Sequence, residues 1–122
     1  MKKTTLMMLA AVALTALAPA LNASAQDKTQ PWPGVTKTVL VDNEHVNIAE
    51  VTFAPGAVAT WHSHPQYTAY ATTAVKMQVE IKGQPTTVAT LKKGQAMWSP
   101  AVTHQTTNVG KKAFTVIVTE MK

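Results

Sequence analysis

Four histidines are the residues best equipped for chemistry in this chain, and three of them fall in a suggestive pattern. His62 and His64 flank Ser63, and in an extended strand residues two apart project from one face. His104 opens the strand-like run HQTTN, after a proline turn at Pro100. Three neutral imidazoles facing one point would suit zinc, iron, manganese, nickel or copper. The competing reading makes them polar residues satisfied by hydrogen bonds at a barrel mouth. His45, beside Asn43 and Glu44 in a turn, is expected on the surface.

Composition narrows the chemistry further. The chain has no cysteine, so thiolate catalysis and thiolate ligation are excluded. Beyond the lead-in its acids are Asp42, Glu44, Glu50, Glu80 and Glu120, and none stands beside His62, His64 or His104. Calcium and magnesium, which favour oxygen ligands, are therefore disfavoured. There is also no arginine, and the lysines are scattered, so nucleic acid is not an expected partner.

The elements that must position the histidines read as strands. Thr36 to Val41 and Val46 to Phe53 are β-branched runs separated by the turn cluster Asp42-Asn43-Glu44. Met77, Val79 and Ile81 alternate with polar residues, the period of a strand with one buried face. Thr86 to Leu91 and Phe114 to Thr119 complete the set, with glycine-containing turns between strands. Past the N-terminal segment no window carries a helical period. Short strands so punctuated predict an all-β sandwich or barrel.

On these residues the sequence resembles the cupins, small jelly-roll β-barrels of the RmlC-like type. Gly56, His62 and His64 match the first cupin motif, while Thr68 occupies its glutamate position and Val75 its closing glycine. Gly94, Pro100, His104 and Asn108 match the second motif, with Val102 where a glycine is usual and the proline-to-histidine interval one residue short. The resemblance spans about residues 46 to 120. It implies a single-domain barrel over residues 35–122, with His62, His64 and His104 as metal ligands inside it. The family's usual fourth ligand is missing at Thr68. Three histidines without a carboxylate leave the full metal charge in place and more positions open.

Other polar side chains compete for the vacated place. Thr68 is placed to hydrogen-bond a bound water, Gln66 and Tyr70 are each placed to supply an oxygen, and Tyr70 is expected to share the inward face of Thr68. Tyr70 is the candidate catalytic residue, as a ligand or general base; the alternative is a barrel-lining tyrosine with a satisfied hydroxyl. Met77 and Met97 would suit copper(I), but read more simply as core filler. Trp61 alternates with His62 and should face away from the site.

The N-terminus reads as an address. Lys2 and Lys3, an apolar stretch from Leu6 to Leu17 and the small residues Ala23-Ser24-Ala25 have the layout of a secretory signal peptide over residues 1–25, cleaved near Ala25. The mature chain is expected to be periplasmic or secreted, with no membrane attachment. Leaving out Lys2 and Lys3 lowers the formal net charge from +5 to +3. Residues 26–34, QDKTQPWPG, form an extended lead-in broken by Pro31 and Pro33. A barrel this small, with exposed strand edges, is expected to pair as a homodimer.

Three functions follow as expectations: a metal-dependent enzyme of dioxygenase, lyase or isomerase type acting on a small polar molecule; a non-catalytic module binding or sensing a small ligand; and a degenerate, metal-free barrel.

Overall fold

The computed structural model describes residues 27–122; the signal peptide expected over residues 1–25 lies outside them. Ten strands follow in order: β1 (Lys28–Trp32), β2 (Val35–Asp42), β3 (Val46–Phe53), β4 (Val58–His64), β5 (Tyr67–Ala71), β6 (Val75–Glu80), β7 (Thr87–Leu91), β8 (Ala96–Ser99), β9 (Val102–Asn108) and β10 (Phe114–Met121). There is no helix among the described residues, as the missing helical period implied.

The strands form two antiparallel sheets, one of six strands in the order β1-β2-β3-β10-β5-β8 and one of four in the order β4-β9-β6-β7. Non-sequential neighbours such as β3-β10 and β4-β9 give the interleaved connectivity of a jelly roll. The lead-in contributes to the larger sheet, because β1 pairs with β2 as its edge strand.

Turn chemistry sets the strand ends. Ala57 N–H bonds the Ala54 carbonyl at 3.0 Å and Gln95 N–H bonds the Lys92 carbonyl at 3.0 Å. The third residue of each turn is a motif glycine, Gly56 or Gly94, with φ of +78° and +88°. That left-handed conformation suits glycine, which has no Cβ to clash.

The core fills the space between the sheets. Phe114 is 1 % exposed and stacks on Phe53 with ring centroids 4.8 Å apart. Val35, Ala59, Ala71, Val75 and Val116 pack around this pair. Asn108, at 1 % exposure, is the most buried of three polar residues in the interior, with His104 and Thr106. Its Nδ2 donates to the carbonyls of Phe53 at 3.1 Å and Lys112 at 2.9 Å, while its Oδ1 accepts from Gly110 N–H at 2.9 Å. The second motif's asparagine is thus a clamp that ties the end of β9 to β3 and to the turn before β10.

Candidate metal centre

The three motif histidines meet on the inner face of the four-stranded sheet. His62 and His104 are directly opposed in the β4-β9 ladder, and His64 lies two residues further along β4. Their potential ligand atoms all lie within 4.8 Å of one another. Ring centroids are 4.7 Å apart for His62 and His64, 4.7 Å for His62 and His104, and 5.1 Å for His64 and His104.

A β-bulge makes this convergence possible. Ala57 and Ala59 face inward, and strict alternation would turn His62 outward, because it stands three residues beyond Ala59. The ladder register shifts between Ala59 and His62, so Thr60 and Trp61 both face out and the inward phase resumes at His62. Bulges of this kind re-aim side chains. Trp61 is 43 % exposed, on the far side of β4 from the histidines as expected, and the Lys82 ammonium lies 5.5 Å from its ring centre.

The bulge also orients the imidazole. His62 Nδ1 lies 2.6 Å from the Thr60 carbonyl, a contact that places the proton on Nδ1 and leaves Nε2 as an acceptor. The Thr60 hydroxyl in turn accepts from Trp32 Nε1–H at 2.8 Å. Trp32 packs on His62 with centroids 4.9 Å apart, so the lead-in strand forms part of the site's wall.

His62 Nε2 and His104 Nε2 are 3.1 Å apart. Two such lone pairs repel unless a proton or a cation lies between them, so the contact fits a metal-binding pair. Burial, with smaller effects from His62 and His64, pulls the His104 imidazole down to about 4, and burial also lowers His62. Both rings are therefore neutral at pH 7, as ligands must be.

The fourth polar group is Glu120. Its carboxylate accepts from His64 Nδ1 at 2.6 Å, with both side chains about one-fifth exposed. No acid stands beside the histidines in the sequence, and the fold supplies one from 56 positions away. The missed signal lies in β10 itself, where Glu120 continues the inward row Phe114, Val116 and Val118.

The candidates on β5 fall otherwise. The strand buries Tyr67, Ala69 and Ala71, and 47 % of Tyr70 is exposed. Thr68 and Tyr70 pair with Trp98 and Ala96 of β8 and do not line the cavity, so the expectation that they face the barrel interior is not met. Gln66 is exposed, its amide 3.4 Å from the Met121 sulfur. Tyr67 is the tyrosine beside the histidines, its ring 4.7 Å from that of His64, and burial pushes its phenol up. His45 lies on the surface against Glu44.

The histidines sit at one end of a cavity of about 160 Å³ whose walls are overwhelmingly apolar, with Phe53, Met77, Leu91, Met97, Phe114 and Val118 among them. Met77 and Met97 thus line the cavity as filler. Three imidazoles at the polar end of an apolar pocket form a donor set that could hold a metal ion.

Solved structures carry the same architecture. A cupin domain from Bordetella pertussis Tohama I is 28 % identical, with 77 % of this chain and 99 % of that chain covered at a TM-score of 0.69. An RmlC-like cupin from Shewanella frigidimarina is 18 % identical, with 79 % and 83 % covered at 0.60. The polyketide cyclase RemF from Streptomyces resistomycificus is 13 % identical, with 82 % and 76 % covered at 0.60. No family model and no curated protein matches the sequence. The fold and these likenesses place the chain in the cupin superfamily.

Proposed function

We propose that this cupin binds one divalent transition metal through Nε2 of His62, His64 and His104, and uses it to engage a small, largely apolar molecule through one polar group. The carrying observation is the convergence of three imidazoles on one end of an apolar cavity. A bound metal would act there as a Lewis acid, polarising an oxygen of the ligand or acidifying water. The chain's own groups do the rest. Thr60 and Glu120 hold His62 and His64 with Nδ1 as the donor, and the apolar walls exclude water. The walls favour a ligand with an apolar body, a change from the small polar molecule that the motifs alone suggested.

A metal site is the better reading than a metal-free barrel, because three imidazoles converge and Nε2 of His62 and Nε2 of His104 lie 3.1 Å apart. The fold also carries enzymes, the polyketide cyclase among them. Export rests on the N-terminal layout of residues 1–25 and would expose the site to metals outside the cytoplasm.

The test is elemental analysis of the purified protein, with zinc and iron reconstitution followed by melting temperature. One metal per chain and a raised melting temperature are expected, because a ligand bound only by the native state stabilises it. His62→Ala and His104→Ala should lose both effects. A wild-type protein that takes up no stoichiometric metal would remove the proposal.

A further inference from the structure

We infer that Glu120 replaces, from β10, the carboxylate that the first motif lacks, and that it acts as a positioning residue for His64. The inference rests on the metal reading above and assigns the one acid at the centre a role that the motifs do not give it. Glu120 faces the site because β10 lies between β3 and β5, where its register partners are Asn47 and Tyr67. On β5 the motif's glutamate position, Thr68, faces outward, and its inward neighbour Ala69 ends at Cβ. The acid has thus moved one strand over within the same sheet.

The move changes what the carboxylate can do. It lies behind His64, at Nδ1, and is not among the groups that share the cluster's 4.8 Å sphere. In this position it fixes the imidazole with the proton on Nδ1, turns the Nε2 lone pair toward His62 and His104, and raises the basicity of the ring. A three-histidine centre so arranged keeps its open positions, because the carboxylate acts through His64 and occupies none of them.

The test compares zinc affinity, measured against a chromophoric chelator, in the wild type, Glu120→Gln and Glu120→Asp. Glutamine keeps the shape but loses the charge, and its amide can donate to Nδ1 and so favour the wrong tautomer. Aspartate keeps the charge and retracts it by one methylene, which covers the case in which Glu120→Gln fails to fold. Each variant should bind zinc about 10- to 100-fold more weakly. In a His64→Ala background the Glu120→Gln change should cost about twofold or less, since its route through His64 is gone. Imidazole ¹⁵N spectra of the zinc-free protein give a readout that a merely structural role would not move. His64 should carry its proton on Nδ1 in the wild type and lose that preference in Glu120→Gln. Zinc binding by the wild type with unchanged affinity in both Glu120 variants would overturn this inference and leave the metal reading standing. An equal loss in the His64→Ala background would also overturn it, by exposing a general charge effect. No zinc binding by the wild type would overturn both.

Discussion

Acid should destabilise the metal-free protein through His104, and the size of the effect follows from its burial. The ring is 4 % exposed and titrates near 4 in the folded chain, against an ordinary value of 6.5. Its folded value is depressed, so between these limits the unfolded chain holds more protons. Stability is complete above 6.5 and falls as pH drops toward 4. Between pH 7.5 and pH 5 His104 alone should cost about 2 kcal/mol, from the linkage relation with one unit worth about 1.4 kcal/mol. His62 is shifted the same way and adds to the loss. The assay is urea unfolding in chelator at the two pH values, for the wild type and His104→Gln. At a slope of about 1 kcal/mol per molar, the wild-type midpoint should drop by about 2 M more than that of the variant. Equal drops in the two proteins would refute the reasoning, because they would mean that His104 is not held neutral by the fold.

Asn108→Ala should cost on the order of 3 kcal/mol, because it removes three hydrogen bonds and strands the buried carbonyl of Phe53; thermal or urea unfolding reads this directly. Tyr70→Phe and Thr68→Val, which alter side chains outside the cavity, should leave zinc affinity unchanged within about twofold and stability within about 0.5 kcal/mol. A large loss of zinc affinity in either would restore the role that the motif spacing gave them.

Much of the fold was legible because its strands advertise themselves. Met77, Val79 and Ile81 alternate cleanly, and the observed β3 has the bounds read from the sequence, Val46 to Phe53. The histidine trio was legible too, since the two cupin motifs carry it. Strand phase was harder. In YTAYA two tyrosines stand three apart, so one must face in and the other out, and alternation alone does not say which. Carrying the phase from the motif's glutamate position gave Tyr70, whereas the bend at Pro65-Gln66 resets it to bury Tyr67. The bulge at Thr60-Trp61 was invisible for a related reason: His-x-His lies wholly beyond it and alternates correctly whatever the phase before it. Glu120 depended on something sequence spacing does not contain, the pairing of β10 with β5, which brings residues 56 apart into contact.

The most direct measurement of the central claim is an anomalous difference map, recorded at the zinc absorption edge, from crystals of the protein grown with zinc. A single strong peak within about 2.0–2.1 Å of Nε2 of His62, His64 and His104 is the predicted result. No peak among these three nitrogens, under conditions in which zinc is present in the crystal, would contradict it.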